Sequence, residues 1–335
     1  MKSVKVEISL KSVIKIIALL IALVFVWKIR FILIAIFSAY ILMIGFAQLA
    51  DWFIAKGLNK TLAAVFSYLI LILFLAVVLF LIIPPLVFQI KGFVEQFPKY
   101  VSELNYLYSV SDLPGVKTED LTAILSNQIA GILTNSVNLI FNTVNVLLNF
   151  LTVAVLSFYM LIERERIKNN IFRLFPNLPK ERVTSLAHKI EKQVGGWLKG
   201  ELLLMFIIFV VTFVGLTLLR VEYALPLALL AGLLEAVPVI GPILSAVPAI
   251  IVTFAVSPVA ALGVIVLYIF IQQLENNFLV PKIMQGVVGI NPLLTILALL
   301  IGANFFGIIG AILAVPLAAI VQVVIYDLLE HQDFK

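Results

Sequence analysis

The sequence contains no cysteine, and this absence excludes disulfide bonds, thiol catalysis and cysteine metal ligands. Histidine is scarce as well. His188 and His331 are the only two, and both lie outside apolar sequence, so a histidine metal cluster or proton relay is not expected. No GxxxxGK[ST] sequence is present, which argues against direct ATP hydrolysis. We therefore expect neither an enzyme nor a bound metal or cofactor.

Charged residues make up only 12% of the chain, whereas 63% of residues are hydrophobic and the mean hydropathy is +1.18. A chain of 335 residues with this composition cannot bury its apolar surface in a soluble core. We interpret the net charge of +5 as a signal of membrane topology and not of nucleic-acid binding. The composition predicts a polytopic protein whose surroundings are a lipid bilayer.

Apolar runs of spanning or near-spanning length predict an all-α helix bundle of about eight membrane segments. The runs lie at about 12–27, 30–50, 61–83, 139–162, 201–220, 224–256, 258–274 and 292–326. Two of them, 224–256 and 292–326, are too long for one simple helix and contain helix-breaking proline or glycine.

The distribution of basic residues predicts the orientation, because short cytoplasmic loops are enriched in Lys and Arg. Residues 164–199 carry nine Lys or Arg against three acids, whereas residues 88–138 carry three Lys against five acids. Together with four lysines near the N-terminus, this pattern places both termini in the cytoplasm of a multi-pass protein of the inner (cytoplasmic) membrane.

These features divide the chain into five regions. They are three membrane helices (1–87), an extracytoplasmic helical hairpin (88–138), a fourth span with a polar seam (139–163), a basic amphipathic cytoplasmic segment (164–200) and a C-terminal transport core (201–335). The amphipathic helix of the fourth region can lie on the anionic inner membrane surface or dock against the bundle, and the sequence leaves both open.

The polar seam consists of five asparagines with a heptad period, which places them on one helix face. They are Asn135, Asn138, Asn142, Asn145 and Asn149. Such a face can hold a neighbouring helix or subunit, or it can line an aqueous path. We favour the first interpretation and expect a homo-oligomer.

The two broken segments resemble each other in sequence. Pro238-Val-Ile-Gly-Pro-Ile-Leu-Ser-Ala-Val-Pro and Gly307-Ile-Ile-Gly-Ala-Ile-Leu-Ala-Val-Pro each follow an apolar helix. Unpaired backbone groups inside a membrane are tolerated only in a protein interior or beside a cavity. We favour two re-entrant hairpins in an inverted repeat, and two kinked spans are the alternative.

Polar residues beside these breaks are the candidate binding residues for a solute or ion. Glu235 is costly in apolar sequence, and its structural alternative is a carboxyl that braces the broken helix. The polar residues that follow the seventh run can equally be an ordinary helix end. The full set is Glu235, Pro238, Gly241, Pro242, Gln272, Glu275, Asn276, Asn304, Gly307 and Gly310.

Several motifs together resemble the autoinducer-2 exporter (AI-2E) family of permeases. They are Glu235-Ala-Val-Pro-Val-Ile-Gly-Pro, Gln272-Gln-Leu-Glu-Asn-Asn-Phe-Leu-Val-Pro-Lys, Asn291-Pro-Leu, the Gly307 segment, Ser157-Phe-Tyr-Met-Leu-Ile-Glu-Arg and Gly196-Trp-Leu-Lys-Gly-Glu. Two positions depart from the family's pattern, since Asn291 stands where the family often has His and Glu201 where it often has Gln. The resemblance implies a homo-oligomeric exporter or permease.

We therefore expect a secondary exporter or permease of a small polar solute of the autoinducer-2 type. Some members of the resembled family are linked to autoinducer-2 release and others to sodium/proton exchange, so a sodium/proton antiporter is the first alternative. A passive channel or a non-transporting structural oligomer is the second. The expected partners are the bilayer, a small polar solute or a monovalent cation or proton, and further copies of the chain, but no nucleic acid.

Overall fold

A computed structural model describes residues 10–108, 136–174, 179–237, 240–284 and 292–330, and all regular structure in these ranges is helical. In chain order the elements are α1 (Leu10–Ala55), α2 (Lys60–Tyr108), α3 (Ser136–Ile162), α4 (Arg164–Leu174), α5 (Lys180–Leu218), α6 (Ala224–Leu234), α7 (Ile240–Val256), α8 (Pro258–Leu274), a π-helical turn (Glu275–Leu279), α9 (Val280–Met284) and α10 (Pro292–Glu330).

Five helices in the described ranges are long and apolar enough to cross a membrane. They are Val13–Ala55, Lys60–Ile82, Lys180–Leu218, Val259–Met284 and Leu293–Glu330. Shorter apolar helices cover Leu148–Ile162, Ala224–Leu234 and Ile240–Phe254. The prediction of an all-helical membrane protein is therefore confirmed in its general form.

The N-terminal segments differ from the prediction. Runs 12–27 and 30–50, expected as separate spans, lie on the single helix α1. Lys28 and Arg30 interrupt the hydropathy, but neither residue breaks a helix. The Arg30 guanidinium lies 3.9 Å from the Trp27 ring centroid and 4.8 Å from that of Phe31, so local cation–π contacts accommodate the charge without a turn.

The expected extracytoplasmic hairpin is only partly covered by the structure. Residues 88–108, the first part of the predicted hairpin, belong to α2, which continues from the third apolar run without interruption as far as Tyr108. Residues 109–135, where the predicted hairpin would turn and return, lie outside the described residues.

The first broken segment folds back on itself. Ala224 and Leu227, at the start of α6, share one buried cluster with Ala249 in the second half of α7. A continuous helix would hold residues 224 and 249 about 37 Å apart, at 1.5 Å per residue. We call α6, the connecting residues 235–239 and α7 the first hairpin.

The second broken segment also folds back. Gly307 in α10 has φ 62° and ψ −144°, a backbone conformation that favours glycine. On either side of it, Gly302 and Gly310 approach so closely that a Cβ on either one would overlap the backbone of the other. The two arms, 292–306 and 308–330, therefore lie against each other, and we call them the second hairpin.

A buried cluster joins the N-terminal helix to the C-terminal half. Ile41 and Ile44 of α1, Val194 and Trp197 of α5, and Val315 of the second hairpin belong to this cluster. The amphipathic segment is thus the first part of α5, docked against the bundle, which agrees with one of its two interpretations.

Candidate functional site

Three buried carboxyl groups come together from three separate elements. Glu201 lies in α5, Glu235 directly follows α6 and Glu275 begins the π-helical turn, with exposed fractions of 7%, 3% and 4%. Glu201 and Glu235 are close enough to Glu275 and to each other to interact electrostatically, and the carboxyl groups of Glu235 and Glu275 lie within reach of a hydrogen bond when one of them is protonated. We call these three residues the carboxyl cluster.

The turn of the first hairpin fixes the position of Glu235. The Glu235 N–H donates to the Ala231 carbonyl at 3.1 Å, and the Val237 N–H donates to the Leu234 carbonyl at 2.9 Å, so the helix ends in a tight turn. A Cβ at Gly241 would overlap the Leu234 carbonyl. Glycine at 241 is therefore required for α7 to begin so close to the end of α6.

An apolar layer covers one side of the cluster. Ile208 of α5, Ala231 of α6 and Ile271 of α8 form a buried group, each 2% exposed. Ala231 and Ile271 precede Glu235 and Glu275 by one helical turn, so α5 packs through Ile208 near both helices that lead to these carboxyl groups. The layer excludes water on that side and makes an uncompensated charge in the cluster costly.

The hydrogen bonds of the cluster are incomplete. The Gln272 side-chain amide donates to Glu275 Oε2 at 3.2 Å. Within the described residues, Glu235 Oε2 is buried and has no hydrogen-bond partner. A buried acceptor without a partner is expensive unless a proton, cation or solute satisfies it, so the geometry suits a site that is filled during function.

The π-helical turn is a second unusual feature at the same place. Residues Glu275–Leu279 interrupt the helical path between α8 and α9 with a wider turn. Such turns occur frequently at functional sites because they change the direction of side chains and disturb the regular backbone pairing. Here the turn begins at Glu275 itself.

The structure brings together some of the predicted residues and separates others. Glu235, Gln272 and Glu275 are in or beside the cluster, and Gly241 and Pro242 are buried in the first hairpin. Asn276 and Asn304 have exposed side chains, Gly307 and Gly310 form the bend and crossing of the second hairpin, and Pro238 lies outside the described residues.

Glu201 is not among the predicted site residues, and in the sequence it stands out only as a departure from a family pattern. It opens the fifth apolar run and is buried in the structure, with an exposed fraction of 7%. Because Lys199 and Gly200 directly precede it, Glu201 lies at the edge of apolar sequence, where the cost of a charge singles out a residue less clearly than at Glu235.

The asparagine seam stays a prediction. Asn138, Asn142, Asn145 and Asn149 all lie on α3, and the side chain of Asn149 is exposed. Asn135 lies outside the described residues.

Known proteins resemble this chain along nearly its whole length. Residues 16–330 match the model of the family described as AI-2E family transporter. YrrI of Bacillus subtilis (strain 168) is 27% identical over 305 residues, covering 89% of this chain and 85% of that protein. YueF of the same strain is 30% identical over 287 residues, covering 80% and 76%. Both are named as transport proteins.

A further relative carries a more specific name. A protein of Halobacillus andaensis named sodium-lithium/proton antiporter is 23% identical over 281 residues, covering 78% of this chain and 80% of that protein.

Proposed function

The chain belongs to the AI-2E family of transporters, and from that premise we propose that it is a secondary transporter that exchanges protons for a monovalent cation at the carboxyl cluster. The observation that carries this proposal is the convergence of Glu201, Glu235 and Glu275 in the protein interior. The name of the Halobacillus relative adds support for the cation.

The chemistry of exchange follows from the contact between two carboxyl groups. Glu235 and Glu275 can hydrogen-bond each other only when one of them carries a proton. A monovalent cation between the two carboxylates satisfies the same oxygens, and the proton then leaves to water. One positive charge replaces another, so the net charge of the cluster stays the same during the exchange, while Gln272 keeps Glu275 oriented.

The two hairpins support a mechanism with alternating access. Each folds back at helix breakers that the sequence repeats, and broken helices are a recurrent way to build ion sites in secondary transporters. In the proposed orientation both termini are cytoplasmic and the two helix-plus-hairpin units are inverted with respect to each other. The cluster beside the first hairpin then opens to one side of the membrane at a time.

The test is sodium-driven or lithium-driven proton flux in liposomes that contain the purified full-length protein and an internal pH dye. We expect flux in the wild-type protein and its loss in Glu235→Gln and Glu275→Gln, because an amide cannot take part in proton exchange. Glu222→Gln is the matched control, since Glu222 is an exposed acid in the turn before α6. Equal flux in all four proteins would contradict the assignment.

A second candidate is proton-coupled export of a small polar solute of the autoinducer-2 type. The free Glu235 oxygen and the Gln272 amide favour it, because they offer a hydrogen-bond acceptor and donor to a hydroxylated solute. Export of the labelled solute that depends on a proton gradient, without sodium-driven proton flux, would support this candidate over cation exchange. Solute flux that neither saturates nor responds to the proton gradient would indicate a passive channel.

A further inference from the structure

A polar pocket, which contains two lysines without ion pairs among the described residues, and an apolar groove meet at the exit of the second hairpin. We propose that together they bind one anionic phospholipid, with its headgroup in the pocket and its acyl chains in the groove. This inference is independent of the transported substrate.

The pocket has a volume of about 560 Å³ and lies between Gln48 of α1, the first half of α5 and the end of α10. Its acidic residues already have basic partners. Glu191 Oε2 lies 2.8 Å from Arg164 Nη2, and Asp327 Oδ2 lies 3.1 Å from Arg182 Nε. The acids therefore do not make the pocket a site for a cation.

Two lysines in the same wall have no such partner. Lys192 and Lys199 are exposed and form no ion pair within the described residues, and both line the pocket. The amides of Gln48 and Gln193 and the hydroxyl of Tyr326 add hydrogen-bond donors beside them. Because Glu191, Asp327 and Glu330 already pair with Arg164, Arg182 and Lys189, the two lysines leave a local positive charge. Positive charge beside several neutral donors is the chemistry that holds a phosphate group.

The adjacent groove has the opposite character. It has a volume of about 840 Å³ and lies between the two arms of the second hairpin and residues Ile34 and Phe37 of α1. The arms touch at Gly302 and Gly310, near the bend, and the groove extends from there along both arms. Nearly all of its lining side chains are apolar, so it suits hydrocarbon chains.

Tyr326 connects the two spaces, because it lines both the pocket and the groove. Tyrosine is enriched at the level of lipid headgroups, where its ring faces hydrocarbon and its hydroxyl faces water. A free phosphate would leave the apolar groove empty, and a lipid without net charge would leave the charges of both lysines without a partner. An anionic phospholipid matches both halves, and the predicted cytoplasmic position of the pocket faces the leaflet that carries such lipids.

The experiment measures lipid bound to detergent-purified full-length protein by native mass spectrometry, with titrated phosphatidylglycerol or phosphatidylcholine. We expect preferential binding of phosphatidylglycerol, and about thirtyfold weaker binding after Lys192→Ala and Lys199→Ala together, at roughly fivefold for each lysine. The pair Lys60→Ala and Lys180→Ala, also exposed lysines but outside the pocket, is the matched control and should bind like the wild type.

A variant that changes the groove and a competition experiment with inorganic phosphate distinguish a bound phospholipid from a bound free phosphate. Ala318→Phe fills part of the groove and should weaken phosphatidylglycerol binding without changing any charge. Inorganic phosphate at the same concentration should compete poorly. Equal binding of the two lipids, no effect of the lysine pair, or full competition by inorganic phosphate would each overturn the proposal. Unchanged unfolding temperatures of the variants without lipid show that binding, and not folding, was altered.

Discussion

The two hairpins have similar breaker sequences but different surroundings. In the first, Glu235 is buried at the turn beside two other acids, and α6 and α7 pack on α5 and α8. In the second, the bend at Gly307 is exposed, the neighbouring Asn304 is exposed, and an apolar groove lies between the arms. The resemblance is therefore one of backbone path, and the chemistry differs.

This difference separates two uses of a helix break in apolar sequence. The first break ends a helix inside the bundle, which places an ionisable side chain where water is excluded. The second bends at Gly307, its arms approach each other closely at Gly302 and Gly310, and its exit is fixed to α5 by ion pairs. The comparison predicts that the hairpins will respond differently to substitution.

The largest effect is expected where each hairpin needs a glycine. Gly241→Ala and Gly310→Ala would each place a methyl group on backbone atoms, so we expect either one to lower the free energy of unfolding by about 3 kcal/mol. Thermal unfolding in detergent measures the loss. Gly263→Ala is the control, because its Cβ would lie 3.3 Å from Leu219 Cδ2 and alanine favours the helix by up to about 1 kcal/mol. Similar stability of all three variants would contradict the close approaches.

An intermediate effect is expected at the exit of the second hairpin. Asp327 is 4% exposed and pairs with Arg182 and Lys189, so Asp327→Asn should lower the free energy of unfolding by about 2 kcal/mol. That value is below the range for a fully buried pair because Lys189 is half-exposed. Glu163→Gln removes an exposed pair with Arg166 and should change stability by less than about 0.5 kcal/mol. Chemical unfolding curves compare the two, and an equal loss would remove the special role of Asp327.

The smallest effect is expected at the bend itself. A Cβ at Gly307 would contact nothing within 4 Å, so Gly307→Ala costs only the backbone conformation, about 1 kcal/mol at the lower end of the range for such regions. Gly307→Asn should cost about the same, because asparagine tolerates the left-handed helical region but not a positive φ combined with ψ −144°. The same unfolding curves measure both variants. A loss as large as that of Gly310→Ala would show that the bend is packed and not open.

The sequence was informative about the hairpins because glycine and proline act locally. The breakers lie where the helices of both broken segments end or bend in the structure, and the cost of a carboxyl in apolar sequence singled out Glu235. The same rule singles out Glu201 less clearly, and the burial of this residue follows from the packing of α5 against other elements. Side-chain partners of this kind depend on tertiary contacts that one segment does not contain.

In the N-terminal half, by contrast, the sequence predicted a break that the structure does not have. Hydropathy separated two spans at Lys28 and Arg30, yet the helix continues because a charged residue lowers hydropathy without breaking backbone hydrogen bonds. Continuity depends on helix breakers, whereas hydropathy reports only the cost of the side chain in lipid. Helix breakers accompany the interruptions of the two broken segments, whereas in α1 the hydropathy is interrupted where no helix breaker is present.

The C-terminal end of α6 has a consequence for the electric field at the carboxyl cluster. Its aligned peptide dipoles place about half a negative charge at its C-terminal end, where Glu235 follows. In the proposed exchange, backbone carbonyls therefore attract a cation to the same point as the side chains do. Glu235→Gln removes one carboxylate but leaves this attraction in place, so the cation affinity that remains in that variant reports the peptide backbone together with Glu201 and Glu275.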